Sequence, residues 1–220
     1  DRCSHLAGRR GLMFYDTASN AHGMAHDPFK AIVAPRPIGW IGTRGRDGSR
    51  NLAPYSFFNA VGDRPKMVMF SSSGRKDSLR NVGETGVFTT SFASRTLLQQ
   101  MSRSSAAVPY ATDEFELAGL TAVDGRLVDA PYVGEAVAVL ECRVTMVTTL
   151  KDIEGAETDS HAVFGQVMGI HINESVIRNG RFDLALADPI LRAGYMDYAG
   201  ISPLIELARP ATAAPQADRG

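Results

Sequence analysis

The sequence predicts a mainly β domain, with an antiparallel sheet curling toward a barrel and only a few short helices. Three observations predict it. At least six segments carry β-branched, aromatic or alternating apolar patterning. Helical periodicity is confined to two short stretches. The regular strand–helix alternation of a doubly wound parallel sheet is missing, and closing an antiparallel sheet would remove its exposed edges.

Residues 29–43 form the first ordered segment, in which Pro35 and Pro37 confine the chain to a strand entry or edge. Arg44-Gly45-Arg46-Asp47-Gly48-Ser49 is a polar turn with an Asp-Gly pair. Residues 51–61 return as a second strand, interrupted at Pro54, and residues 66–72 form a third around Met67-Val68-Met69-Phe70. Residues 77–84 read as a short helix with Asp77 as its N-cap. A strand over 86–92 follows, then a helix over 95–101 capped by Ser94. Residues 102–133 are loop-rich. Residues 136–149 form the clearest strand: Ala138, Leu140, Cys142, Val144 and Met146 alternate with a wetter face carrying Glu141, Arg143 and Thr145. Its hairpin partner is expected over 160–172, across an acidic loop containing Asp152 and Glu154. Residues 13–207 are expected to be the domain, with 1–12 a disordered extension and the Pro/Ala-rich 208–220 a disordered tail.

Composition narrows the function classes. The chain has 220 residues, 44% hydrophobic and 21% charged, with a net charge of −1. Nothing there marks a nucleic-acid or anionic-membrane partner. No apolar run reaches the ~18 residues of a membrane span. Two cysteines, Cys3 and Cys142, make no disulfide framework, so a cytoplasmic setting is the default. His22 and His26 have i, i+4 spacing but no evident third ligand, so no metal site is expected. Gly42, Gly45 and Gly48 do not match the dinucleotide fingerprint.

Two segments carry the chemistry. Asn51-Leu52-Ala53-Pro54-Tyr55-Ser56-Phe57-Phe58-Asn59 is too polar and interrupted for a plain core strand. Pro54 removes a ladder donor, and the N–H groups of Ala53, Tyr55 and Ser56 could face the polar edge of a flat heteroaromatic ring. Ser71-Ser72-Ser73-Gly74-Arg75-Lys76-Asp77-Ser78 places hydroxyls, a glycine and two cations just before a helix start, which suits a phosphate. A proline bulge on an edge strand, or a solvated polar turn, would produce either one without a ligand. Together they match the two ends of a mononucleotide.

Arg36-Pro37-Ile38-Gly39-Trp40-Ile41-Gly42-Thr43, the 51–61 segment, Val68-Met69-Phe70-Ser71 and Lys76-Asp77-Ser78-Leu79-Arg80-Asn81 occur in one order. Asp113-Glu114-Phe115-Glu116-Leu117-Ala118-Gly119-Leu120 and Leu140-Glu141-Cys142-Arg143 follow. Over about residues 14–207 this closely resembles the flavin reductase-like, FMN-binding split-barrel family. The resemblance implies an antiparallel, Greek-key-like split barrel and a homodimer with FMN near the interface. It implies a ring against Asn51, Ala53, Pro54, Tyr55 and Ser56, with Trp40 and Thr43 close by. It places the phosphate at Ser71, Ser72, Arg75 and Lys76, with Tyr195, from the partner chain, closing the site. It also implies reduction of FMN by hydride transfer from NADH or NADPH to N5, with no protein acid, base or metal, because the cofactor carries the chemistry. A non-catalytic FMN-binding or electron-carrier protein stays open as the alternative. A pyridoxamine-phosphate-oxidase-like enzyme ranks last, since no set of substrate-phosphate arginines is recognisable.

Overall fold

The computed structural model describes residues 11–110, 112–201 and 203–208. A single helical turn, α1 (Phe29–Ile32), precedes strands β1 (Gly39–Arg44), β2 (Arg50–Tyr55), β3 (Phe58–Asp63) and β4 (Lys66–Ser73). Helix α2 (Asp77–Thr85), strand β5 (Val87–Phe92), helices α3 (Leu98–Arg103) and α4 (Glu114–Ala118), and the short strands β6 (Ala122–Asp124) and β7 (Pro131–Val133) follow. The long hairpin β8 (Ala138–Lys151) and β9 (Glu157–Ile172) leads to a short helix, α5 (Leu184–Ala187), and minor two-residue pairings.

Seven strands form one antiparallel sheet in the order β2-β1-β5-β8-β9-β4-β3. Its edge strands, β2 and β3, are consecutive in the chain, with only Ser56 and Phe57 between them. The sheet must therefore curl until its edges meet. The result is the expected split barrel, mainly β, whose seam is crossed by chain and not by a full ladder. The β3–β4 ladder runs one step further toward the seam, with Ser71 N–H donating to Phe57 C=O at 2.8 Å.

Alternation sorts the core into two clusters. Ile41 points into the barrel with Val68, Phe70, Phe88, Cys142 and Val163. Phe70 and Phe88 meet edge to face at 5.4 Å. Trp40, one residue away, faces out and packs with Leu52, Leu97, Met101 and Phe115 beneath α3 and α4. Gly42 lets β7 cross β1 closely: a Cβ there would lie 2.0 Å from the Pro131 carbonyl oxygen.

The structure departs from the sequence reading in five places. Residues 29–32 are a helical turn, and the first strand begins only at Gly39, after the two prolines. The break in 51–61 falls at Ser56 and Phe57. Pro54 stays in β2 opposite Trp40, because an edge strand tolerates a missing donor. Lys76, not Asp77, is the N-cap of α2. Ser94 precedes a 3-10 turn (Arg95–Leu97) and bonds Thr96 Oγ1 instead of a backbone amide.

Glu141 is the fifth. β8 keeps its alternation here, with Leu140, Cys142 and Val144 on the barrel core, but Glu141 on the opposite face is buried as well because the 126–128 loop covers it. The Glu141 carboxylate accepts the N–H groups of Arg126 (2.9 Å), Leu127 (2.6 Å) and Val128 (3.0 Å) and bonds His171 Nε2. Burial pushes its pKa up, but the amides and His171 outweigh that and hold it below the usual carboxylate value. A lowered folded pKa contributes stability above the unfolded value, near 4.5, and that contribution is lost as pH falls below it. Glu141→Ala is therefore expected to cost roughly 3 kcal/mol at pH 7. Urea unfolding should show the gap to the parent protein narrowing below about pH 4.5.

Candidate functional site

The seam opens into a hollow of about 510 Å³, within the usual range for small-molecule sites. The end of β2 forms one wall, through Asn51, Ala53, Pro54, Tyr55 and Ser56. The end of β4 and the start of α2 form another, through Ser71, Ser73, Lys76 and Ser78. Residues 104–108 and Glu114 close the far side. The ring segment and the phosphate segment read from the sequence thus face one cavity.

Backbone direction sets what β2 can offer. The Leu52 N–H points away from β1 and donates to Glu114 Oε2 at 3.0 Å. Antiparallel pairing alternates that direction residue by residue. The amides of Ala53 and Tyr55 therefore turn into the β1 ladder and are not free donors, contrary to expectation. Pro54 shares the outward row with Leu52 and has no N–H, and Ser56 lies just beyond the last pair, Gly39 and Tyr55.

A buried polar net braces this wall. Asn51 Nδ2 donates to Thr43 Oγ1 (3.0 Å) and Ser78 Oγ (2.9 Å), and Asn81 Nδ2 donates to Thr43 Oγ1 (3.1 Å). Side chains from β1, β2 and α2 are locked together by these bonds. Burial pushes the Glu114 carboxyl pKa up and likewise that of the Tyr55 phenol, whose hydroxyl lies near Ser78 and Ser72.

The start of α2, like those of α1 and α3, carries no side-chain cap, whereas Asp113 and Asp183 cap α4 and α5 with their carboxylates. The first bond of α2 runs from Arg80 N–H to Lys76 C=O, so the N–H groups of Asp77, Ser78 and Leu79 have no partner within the helix. Asp77 pairs with Arg80 at 3.2 Å, which offsets its charge. Unpaired amides, an adjacent ammonium and the Ser71 and Ser73 positions form a donor set that fits an anionic group.

A family model for the flavin reductase like domain matches residues 33–189. The chain belongs to the flavin reductase-like family. This flavin reductase-like chain is 35% identical over 176 residues to an uncharacterized protein of Deinococcus radiodurans, covering 74% of each. Nitrilotriacetate monooxygenase component B from Bacillus cereus superposes with a TM-score of 0.82 at 26% identity, over 90% of this chain and 100% of that one. Flavoredoxin of Desulfovibrio vulgaris (Miyazaki F) superposes with a TM-score of 0.68 at 26% identity, over 79% and 91%. The family is one of flavin-related oxidoreductases.

Within this flavin reductase-like fold, five expected site residues stand elsewhere. Ser72 is fully buried and donates to Gly74 C=O; strand alternation turns Ser71 and Ser73 to the cavity instead. Arg75 lines a separate hollow with Arg80, Thr149 and His161, because the extended Lys76 backbone (φ −87°, ψ 171°) splays neighbours to opposite sides. Trp40 has no exposed surface; its Nε1–H donates to Ser104 Oγ at 2.9 Å and anchors the 104–108 wall from behind. Thr43 is likewise buried. Tyr195 of the same chain lines an adjoining hollow that shares Pro54 and Ser56. Sequence reasoning missed Ser73, Ser78, the 104–108 wall and Glu114. Parity from Ser71 would have found Ser73, while Glu114 arrives by a long-range contact with no local signal. Asn51→Ala, which removes two buried bonds, is expected to lower stability by roughly 2 kcal/mol in denaturant titration.

Proposed function

We propose that the chain binds FMN at the seam and acts as an NAD(P)H-dependent flavin oxidoreductase. The observation that carries this reading is the shared hollow: a flat-walled strand end and an uncapped, cationic helix start face each other across it. The ring would lie along Asn51, Ala53, Pro54, Tyr55 and Ser56. The phosphate would meet Ser71, Ser73, Lys76 and the first amides of α2. Thr43, Trp40 and Asn81 hold those groups in place, so little reorganisation accompanies binding. The bound flavin would supply the redox chemistry, accepting a hydride at N5 from NADH or NADPH.

The protein's own part is positioning. Asn51 is fixed by Thr43 and Ser78, and Trp40 fixes the far wall through Ser104. Exposed apolar side chains on β8 and β9 (Met146, Val147, Leu150, Met168 and Ile170) support a homodimer, the assembly in which FMN would lie near the interface. Among the described residues no helix is long and apolar enough to cross a membrane, which is compatible with the proposed cytoplasmic setting.

The likeness to a flavoredoxin favours one second reading, an electron carrier that holds FMN and ignores nicotinamide. Two measurements decide. Purified protein is expected to bind FMN, seen as quenched flavin fluorescence, and NADH or NADPH should bleach the flavin band anaerobically. Binding without bleaching by either nucleotide selects the carrier. Lys76→Ala should weaken FMN binding about tenfold or more, the scale of one charge-assisted contact, whereas Arg75→Ala should change it little.

A further inference from the structure

Beside the seam lies a second hollow, of about 720 Å³. It shares Pro54, Ser56 and Ser105 with the first, so a molecule inside it reaches the proposed ring. Its walls come from opposite ends of the chain. Residues 26–36 supply one and residues 192–198 the other, stitched by Arg36 N–H to Arg192 C=O (2.8 Å) and Arg192 N–H to Arg36 C=O (2.9 Å).

The charge in this hollow is one-sided. Lys30, Arg36 and Arg192 line it against a single carboxylate, Asp27, which already accepts the Phe29 N–H at 2.8 Å. Among the described residues none of the three cations belongs to an ion pair. Arg36 is buried, with its guanidinium on the carbonyls of Lys30, Val33 and Ala193 and its Nε unpartnered. Burial, and then the charge of Arg192, hold its pKa below the usual arginine value. Two guanidinium groups are thus held near each other without a counter-charge, an arrangement that an incoming anion relieves.

The remaining wall is aromatic. Arg192 lies over the Tyr198 ring at 4.6 Å and donates to Tyr195 C=O. Tyr195 adopts a left-handed φ of 55°, a costly conformation for a non-glycine residue, and its ring stands 5.7 Å from His26 at the lip. Phe29 completes the apolar surface.

We propose that this hollow is the co-substrate site and takes a planar ring bearing an anionic group, a carboxylate or a phosphate, gripped by Lys30 and Arg192. Arg36 is a positioning residue, fixing the Arg192 strand and adding positive potential from behind. The inference deepens the functional reading above and rests on it only for the place of the flavin ring.

Calorimetric titration with two probes tests it: benzoate for a carboxylate-bearing acceptor, and adenosine 2′,5′-bisphosphate for the phosphate of a nucleotide donor. At least one probe should bind the parent protein. Lys30→Gln and Arg192→Gln should each weaken that probe about tenfold, Arg192→Lys should recover most of the loss, and Arg64→Gln, an exposed cation elsewhere, should change nothing. Binding of benzoate alone assigns the site to an acceptor, binding of the bisphosphate alone assigns it to the donor, and binding of both gives a site for either. No binding of either probe, or binding indifferent to both Gln variants, overturns the proposal. FMN titrated into the same proteins separates the two claims. Failure of the parent protein to bind FMN overturns the functional reading, while the probe titrations still decide the anion site.

Discussion

Everything in this molecule depends on how the sheet closes. Its two edges are joined by two residues of chain, a link too short to let them separate. Backbone that would otherwise be buried in pairing stays open along the outer edge of β2. The cavity is a consequence of that closure. β4 delivers its serines to the seam because it pairs with β3, and α2 begins there because it follows β4 after a short turn. A barrel with a complete ladder would have no such opening.

The two buried carboxylates among the described residues of the closed structure are handled in the same way. Glu114 and Glu141 are buried carboxylates, and both answer to backbone N–H groups instead of to lysine or arginine. Each ties a distant segment to the sheet: α4 to β2 in the first case, the 126–128 loop to β8 in the second. Charge-assisted bonds to fixed amides are stronger than exposed ion pairs, so these contacts add rigidity where loops meet the barrel. The Asn51–Thr43–Ser78–Asn81 net does the same with neutral groups.

Much of this was legible in the sequence, and the misses share a cause. Strand patterning located the sheet, but Pro54 was read as the interruption of its strand, whereas it continues β2 at the sheet edge and the chain bends two residues later. The serines and cations before α2 pointed to the right element. What failed was resolution by side: Ser72 and Arg75 belong to the right segment but face away from the hollow, since neighbours in extended chain diverge. Glu141 was assigned to a wet face because a period-two reading gives the face but not the 126–128 loop that covers it. Glu114 and residues 104–108 come to the seam through packing around Trp40 and Phe115, which no local pattern announces.

The pairing of Arg36 with Arg192 joins the front of the chain to its far end, with the entire barrel threaded between them. Such a clasp can form only after the last strand has been made and folded, so a nascent or truncated chain would own the frame without its gate.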